Sequence, residues 1–271
     1  MPITVNNGGV LRTLGKVSVN DSGVIRNLNT VHVNDSGVLR QVFSAGTPIS
    51  DVNVGNKVHL KNTSGGAYSF IVVHKGKPSS IYDDSCDGIW VIKETPLTPS
   101  APWYDGSPAK NYYPYSDCEY WGSKLYGMIH SAVKPAIKTV KIPYYKANST
   151  SGGKGSVQSG SNGSSCRGFI LSAKEVGYGG GLADGARLSY FSTSARRICY
   201  YGGEGVPWWT RTPDLSDLDD PWYVHSIGKD GTVHIGSYCG NDVSSENFKY
   251  FRPAFVLSYS AGVDKNGYII V

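Results

Sequence analysis

The chain has 271 residues and a formal net charge of +5; 39% of the residues are hydrophobic and only 17% are charged. Its 34 glycines and 19 tyrosines argue against a helix-rich enzyme, because a glycine costs about 1 kcal/mol in a helix interior and this composition is typical of recognition loops. The basic residues are scattered, unlike those of a nucleic-acid-binding protein, and no apolar run of about 18 residues predicts a membrane span. The first residues contain neither a basic region nor an apolar stretch, so no secretory signal is expected.

Three tandem repeats of 14 residues open the chain. Residues 5–12, 19–26 and 33–40 share the pattern Val-Asn-Asn/Asp-Gly/Ser-Gly-Val-Leu/Ile-Arg. Each repeat predicts a β-hairpin, with Gly9, Gly23 and Gly37 in the turns. A hairpin this short buries too little surface to be stable alone. We therefore expect the repeat module, residues 1–46, to pack on another copy, on the main domain or on a larger particle; a small sheet that only caps the main domain is the alternative.

The main domain is predicted to span residues 47–271, after a linker at 44–48. Alternating and continuous apolar runs predict strands at 52–60, 68–74 and 88–93. A helix is expected from Ser116 to about Ile129, because Ser116 can cap it with Glu119 three residues later. Its packed face is expected to comprise Tyr120, Leu125 and Met128 or Ile129.

The second half of the chain alternates short elements with turns. Residues 148–165 are almost entirely small and polar and predict a mobile surface loop. A strand at 168–171 is followed by a capping box at 172–175 that predicts a short helix, and the glycine-rich residues 177–181 predict a turn. Further elements are expected at 188–196, 255–257 and 268–271. This order indicates an α+β fold, not the alternating βαβ pattern of dinucleotide-binding enzymes.

Catalytic and cofactor-binding spacing patterns are absent from the sequence, so no catalytic residue, metal or cofactor is predicted. The five cysteines are odd in number and widely spaced, which favours reduced packing residues. His225 and His234 with Cys239 could form a metal or Cys–His site, although polar side chains on a recognition surface are the favoured interpretation. Asp214, Asp217, Asp219 and Asp220 leave calcium binding open, but a solvated turn is favoured.

Several phrases of the main domain resemble one known family. They lie at residues 68–74, 79–90, 171–177, 188–191, 197–200, 208–213, 222–228 and 251–257. Their order and spacing are similar to those of phage and gut-bacterial proteins with a C-type-lectin-like fold of the formylglycine-generating-enzyme type, and in particular to the variable proteins of diversity-generating retroelements. The repeats also look like those that precede such domains in phage structural proteins.

The resemblance implies a scaffold and a displayed segment. The scaffold, called the frame below, would comprise Trp208, Trp209, Arg211, Pro213, Arg252, Pro253 and Phe255. The segment enclosed by the frame, residues 214–247, would be the displayed surface. Its expected ligand-facing residues are Tyr223, His225, Ile227, His234, Gly236, Tyr238, Asn241 and Asp242. Alternation along residues 222–228 would place Trp222 and Val224 on one side of a strand and Tyr223 and His225 on the other.

The function that the resemblance implies is binding, not catalysis. The chain would be a receptor-binding protein of a phage or prophage particle, which recognises a host cell-surface protein or glycan with a surface diversified by a retroelement. The repeats would attach it to phage structural proteins or to sister subunits, with a trimer as one oligomeric state. A bacterial surface adhesin of the same fold is an alternative. A formylglycine-generating-like oxidase is another, but its reactive cysteine pair would have to be Cys199 and Cys239, which match no such motif.

Overall fold

The computed structural model describes the strands of residues 3–44 and, beyond them, residues 46–105, 113–114, 116–146, 155–214, 222–238 and 248–271. Each repeat forms its own antiparallel hairpin. The pairs are β1 (Ile3–Asn7) with β2 (Val10–Leu14), β3 (Val17–Asp21) with β4 (Val24–Leu28), and β5 (Thr30–Asp35) with β6 (Val38–Ser44).

The three hairpins share one register. In each, the first valine of the repeat motif is opposite its arginine: Val5 pairs with Arg12, Val19 with Arg26 and Val33 with Arg40. The predicted turn glycines lie outside the described residues. Among the described strands, none of these six pairs with another hairpin or with the main domain. The hairpins are therefore three separate two-stranded units.

The main domain is mostly β-sheet and contains, within its described part, one α-helix, which agrees with the predicted α+β class. Its strands in chain order are β7 (Thr47–Pro48), β8 (Lys57–Lys61), β9 (Ala67–Lys75), β10 (Ile89–Lys93), β11 (Leu97–Ala101), β12 (Val140–Ile142), β13 (Tyr144–Tyr145), β14 (Val157–Gln158), β15 (Ser164–Cys166), β16 (Phe169–Ile170), β17 (Cys199–Tyr201), β18 (Glu204–Val206), β19 (Trp208–Pro213), β20 (Tyr223–Ile227), β21 (Val233–Tyr238), β22 (Lys249–Phe251), β23 (Pro253–Leu257), β24 (Gly262–Val263) and β25 (Ile269–Ile270). The helix is α1 (Asp117–Gly127), and 3₁₀ turns span Ile49–Asp51, Asp84–Cys86, Lys134–Ala136 and Ser194–Arg197.

Two five-stranded sheets organise the domain. The first has the order β16-β23-β10-β9-β8 and the second the order β11-β22-β19-β20-β21. Neighbouring strands are antiparallel, except that β19 and β22 run parallel. The three strands predicted early in the chain are confirmed as β8, β9 and β10, although β8 begins at Lys57, later than expected.

The first sheet is buried on both faces. Successive residues of β10 belong to different apolar clusters: Trp90 and Ile92 pack with the tryptophans of the second sheet, and Ile89 and Val91 pack in a separate cluster. Because successive side chains of a strand point to opposite faces, both faces must be covered. This explains why β10 reads as a continuous apolar run instead of an alternating one.

Helix α1 begins as predicted, and Leu125 and Ile129 of its predicted packed face are fully buried. The Ser116 hydroxyl accepts the Glu119 N–H at 3.1 Å, which is the expected cap. The buried residues are Cys118, Gly122 and Leu125, whereas Tyr120 is 55% exposed, so its predicted place on the packed face is wrong. The reason is Gly122: a Cβ there would lie 2.8 Å from the Gly168 carbonyl oxygen, so this side of the helix meets backbone.

Three predictions about connecting segments are corrected. Residues 47 and 48 of the predicted linker form β7, which pairs with β24. Residues 157–158 and 164–165 of the predicted loop lie in β14 and β15, which pair with β13 and β12. The capping box at 172–175 forms its two hydrogen bonds, from Ser172 N–H to Glu175 at 2.8 Å and from Glu175 N–H to Ser172 at 3.1 Å, but a turn follows instead of a helix. Gly177, with φ of 91°, ends this turn.

Candidate ligand-binding site

The frame is buried. All seven of its residues lie in the interior, and both tryptophans satisfy their indole N–H groups with backbone carbonyls. Trp208 donates to the Arg197 carbonyl and Trp209 to the Ala101 carbonyl, each at 2.9 Å. The two rings therefore fill the core and also hold two loops to β19.

Arg211 uses all five of its N–H donors inside the protein. Its Nε donates to the Pro143 carbonyl, and its two Nη atoms donate to the carbonyls of Ile170 and Asp184 and, both at 2.7 Å, to the Glu175 carboxylate. Both partners of this ion pair are fully buried. Burial disfavours the charge of Arg211, but the Glu175 carboxylate outweighs it and raises the pKa of the guanidinium. A buried pair of this geometry joins three separate segments to β19.

Arg252 is buried with fewer partners. Its Nε donates to the Lys93 carbonyl at 2.9 Å, and its guanidinium lies 5.5 Å from the centre of the Trp208 ring. Within the described part of the chain its Nη1 has no hydrogen-bond partner. Arg252 thus links β10 to the beginning of β23 through backbone and ring contacts, whereas Arg211 acts through a carboxylate.

Asp184 is a buried acid that the sequence patterns did not reveal. Its Oδ2 accepts the Thr212 hydroxyl at 2.6 Å, and Thr212 in turn accepts the Ala173 N–H at 2.8 Å. Burial raises the pKa of Asp184 to about 6, against the opposing effect of Arg211. Its Oδ1 has no partner among the described residues. Tyr82, whose hydroxyl donates to Glu175 at 2.7 Å, was likewise not predicted.

The described part of the displayed segment forms the two outer strands of the second sheet. Strands β20 and β21 pair antiparallel, and β21 is the edge strand. His234 and Gly236 are exposed, and the half-buried rings of Tyr223 and Tyr238 contact each other with centres 5.9 Å apart. Asn241 and Asp242 lie outside the described residues. Four of the eight predicted ligand-facing residues are thus on or near the surface of these two strands.

Two predicted ligand-facing residues are interior. His225 is 3% exposed and Ile227 is fully buried, so their predicted place on the open surface is corrected. The expected alternation fails because β20 is covered on both faces: Val224 and Ser226 are buried as well. Trp222, which precedes β20, is 43% exposed although Val224 is buried.

A polar cluster forms where β19 ends against β20. We call it the Asp214 cluster and define it as Asp214, His225, Tyr178 and Gly236. The His225 ring packs on Tyr178 at 5.2 Å, and its Nδ1 has no partner among the described residues. Burial lowers the pKa of His225, opposed by the Asp214 carboxylate. Gly236 has a φ of 70°, and a Cβ there would lie 3.3 Å from an Asp214 carboxylate oxygen, so the strand passes close to this acid.

Tyr178 brings the glycine-rich turn to this cluster. Its N–H donates to the Ala173 carbonyl at 2.9 Å, and a Cβ added at the nearby Gly179 or Gly181 would meet no atom within 4 Å. The sequence identified residues 177–181 only as a turn. Its position beside His225 depends on a contact between residues 47 positions apart, which no local pattern reports.

The described residues support neither metal binding nor thiol chemistry. Over those residues, no group of three His, Cys, Asp or Glu side chains could hold a metal ion. His225 is buried while His234 is exposed, and Cys239, Asp217, Asp219 and Asp220 lie outside the described ranges. Cys199 is a buried free thiol whose pKa is raised by burial, which disfavours the reactive thiolate. No helix in the described part of the chain is long and apolar enough to cross a membrane.

Comparison with known proteins gives one family match. The family model of a domain of unknown function (DUF6273) matches residues 87–259, which is more than half of the chain. This range contains the whole frame, both strands of the displayed segment and the Asp214 cluster. No curated protein and no solved structure matches the chain.

Proposed function

We propose, from the premise that the chain belongs to the DUF6273 family, that its main domain is a ligand-binding module and not an enzyme. The observation that carries this proposal is the contrast between the frame and the segment that it encloses. The frame is buried and hydrogen-bonded, whereas the enclosed segment exposes Trp222, which precedes β20, and His234 and Ile235 of β21. Side chains at such positions can change without altering the core, and exposed aromatic and apolar side chains are typical of a recognition surface.

The finer part of the proposal concerns the scaffold and its biology. Two of the motifs that resemble C-type-lectin-like variable proteins of diversity-generating retroelements, at residues 208–213 and 251–257, supply the frame and flank the displayed segment. In this proposal the segment is the diversified surface of a phage or prophage receptor-binding protein located on the virion, and its partner is a host cell-surface protein or glycan. The N-terminal hairpins would attach the domain to phage structural proteins or to sister subunits.

Two alternative functions can be tested by experiment. A bacterial surface adhesin would use the same surface and differ only in where the protein is found. A formylglycine-generating-like oxidase would need a reactive thiolate, and the buried Cys199 thiol weighs against it. Replacing Cys199 and Cys239 by serine would leave binding intact and would abolish the oxidase chemistry.

A segment exchange tests the binding function. Residues 214–247 are replaced by those of another family member, except that the buried residues 224–227 are kept, and both proteins are screened against arrays of glycans and of host surface proteins. We expect the set of bound ligands to change while the melting temperature stays within about 2 °C, because the frame is retained. As the matched control, residues 147–154 are exchanged in the same way, and this should leave the set of ligands unchanged.

Two results would contradict the proposal. If the exchange of residues 214–247 keeps the ligand set, or if the exchange of residues 147–154 changes it, the binding surface lies elsewhere. A large loss of melting temperature on exchange of residues 214–247 would show that the segment is part of the scaffold.

A further inference from the structure

We propose that Ser189 is a reactive nucleophile that takes up an acyl group from an activated ester, with His74 as its base. The two residues lie in the motifs at 68–74 and 188–191, neither of which contributes to the frame. They are 115 positions apart, so only the fold brings them together. The proposal is independent of the displayed segment, and it concerns a single covalent transfer without turnover.

The geometry of the pair fixes the direction of proton transfer. The Ser189 hydroxyl oxygen lies 2.7 Å from His74 Nδ1, and the Ser189 backbone N–H donates to the same nitrogen at 3.3 Å. A backbone N–H can only donate, so Nδ1 is the unprotonated nitrogen of the ring and the hydroxyl donates to it as well. A serine whose proton is directed at a neutral imidazole is the arrangement that activates an alcohol as a nucleophile.

Both residues are held by the surrounding backbone. His74 is a residue of β9. Tyr190, which follows Ser189, donates its N–H at 2.9 Å to the carbonyl of Val73, which precedes His74. Leu188, on the other side of Ser189, is fully buried. The contact between hydroxyl and imidazole is therefore part of the fold, which keeps the reacting groups in place before an electrophile arrives.

The pair is open to solvent and its base is neutral. Ser189 is exposed and His74 is half-buried, whereas the four described cysteines, which are intrinsically stronger nucleophiles, are all buried. Burial lowers the pKa of His74, opposed by the charge of Glu175, so the imidazole is in its basic form at neutral pH. An electrophile from solvent can thus reach the Ser189 oxygen while a proton acceptor is in contact with it.

The step is an acyl transfer. Ser189 Oγ attacks the carbonyl carbon of the ester and its proton passes to His74 Nδ1. The bond from the carbonyl carbon to the leaving oxygen then breaks, and the imidazolium returns the proton to that oxygen. The products are an ester on Ser189 and a free alcohol or phenol.

Hydrolysis of this ester is not favoured by the backbone around it. The N–H groups of Ser189 and Tyr190 both have acceptors within the protein, so neither is available to stabilise an oxyanion. Such donors contribute a large part of the rate of acyl-transfer enzymes. We therefore expect the ester to persist, which is compatible with a binding module that is not an enzyme.

Acetylation of the full-length chain by p-nitrophenyl acetate tests the proposal. We expect a first phase that releases about one equivalent of p-nitrophenolate, in keeping with a single nucleophile. Peptide mass spectrometry should locate the acetyl group on Ser189. The rate of this phase should rise with pH and reach half its plateau below pH 6.5, the ordinary value for histidine, because the neutral imidazole is the base and its pKa is lowered.

Four substitutions assign the roles of the two residues. His74→Gln should slow the first phase by about 100-fold, since an amide can accept the hydrogen bond but not the proton. Its matched control is His130→Gln, because His130 is exposed and its Nδ1 also accepts a backbone N–H, that of Ala132 at 3.2 Å. Ser189→Ala should remove the first phase, whereas Ser192→Ala, at an exposed serine nearby in the chain, should not. Ser189→Ala keeps the test valid if His74→Gln fails to fold.

Three results would overturn the proposal. They are equal acetylation of Ser189 and Ser192, acetylation of Ser189 that His74→Gln does not slow, and a rate that keeps rising through alkaline pH without a plateau. Sustained release of p-nitrophenolate that Ser189→Ala abolishes would make the pair a hydrolase, which contradicts both the single transfer and the absence of enzyme activity. The exchange of residues 214–247 leaves this pair intact, so a failure here is distinguishable from a failure of the binding function.

Discussion

The Glu175 carboxylate accepts four hydrogen bonds, from the Tyr82 hydroxyl, the Ser172 N–H and two nitrogens of Arg211. Each oxygen thus has two donors, and the charge is matched by a cation that is equally buried. Such a network is favourable only when every member is satisfied. At the scale of single residues, this pair explains how a charged side chain of β19 can lie inside the core.

Removing one partner of this pair should be costly. Glu175→Gln keeps the volume but leaves Arg211 as an uncompensated buried charge, so we expect a loss of about 3–5 kcal/mol in the free energy of unfolding, measured by urea denaturation. The control is Asp84→Asn, which breaks the exposed pair with Lys77 and should leave the urea midpoint unchanged. Equal effects of the two substitutions would mean that the buried pair does not stabilise the fold.

Asp184 predicts a specific dependence of stability on pH. Its pKa is raised to about 6 in the folded protein, so the folded state holds the proton more tightly than the unfolded state. The cost of ionising it therefore appears as pH rises from about 4 to above 6, and it amounts to about 3 kcal/mol at most. The amide introduced by Asp184→Asn is uncharged at every pH. The variant should gain stability relative to the natural chain above pH 6, and the difference should shrink towards pH 4 in thermal melts. A difference that is constant across this range would contradict the assignment.

The frame residues could be assigned from the sequence because their types and their motif spacing are distinctive. The ion-pair partner of Arg211 could not be assigned from the sequence, although the capping box had already identified Glu175 as a capping residue. The box describes hydrogen bonds within four residues, and Arg211 is 36 positions away. Local patterns identify a carboxylate that caps a turn but are silent about a second partner that only folding brings near.

At the scale of elements, the strand β7 marks where the main domain begins. Thr47 and Pro48 pair with Val263 and Gly262 of β24, which also pairs with β25. The sequence interpretation of residues 44–48 as a linker was reasonable, since a two-residue strand has no periodicity to detect. A strand of two residues is held in place by its pairing with β24.

This boundary gives a test by truncation. A chain that begins at Gly46 should melt at the temperature of the full main domain, because none of the described hairpin strands pairs with it. A chain that begins at Ile49 lacks β7 and should melt lower, by about 2–4 °C for each kcal/mol lost. Melting temperatures are measured by thermal denaturation. If the two shortened chains melt at the same temperature, the boundary at β7 is wrong. If the chain from Gly46 melts below the full-length chain, the hairpins are not independent of the main domain.

Secondary-structure elements were predicted correctly where the sequence pattern was local. They were missed where pairing with a distant strand determined the structure. Ser116 caps α1 and the apolar runs form β8, β9 and β10, because cap geometry and apolar content act within a few residues. By contrast, β14 and β15 consist of small polar residues and are strands only through pairing with β13 and β12. Tyr120 turned outward because the close approach of Gly122 to Gly168 sets the face of the helix.

At the scale of the whole molecule, two kinds of architecture follow one another. Three hairpins with one register precede a domain of two five-stranded sheets, and the family match covers most of that domain. The two described strands of the displayed segment lie at one edge of the second sheet. The arrangement separates a buried, hydrogen-bonded frame from an edge that carries exposed side chains, which is the physical basis of the proposed binding function.

The sequence by itself determined the repeat period, the cap of α1, the early strands and the residue types of the frame. These properties depend on near neighbours or on simple counts. Only the tertiary structure showed that His225 and Ile227 are interior. It also showed that Glu175 and Asp184 contact Arg211 and Thr212 of β19, and that Tyr178 packs in the Asp214 cluster. The physical reason is that burial and charge pairing depend on what packs against a residue, and for β20 both faces are covered by segments distant in the chain.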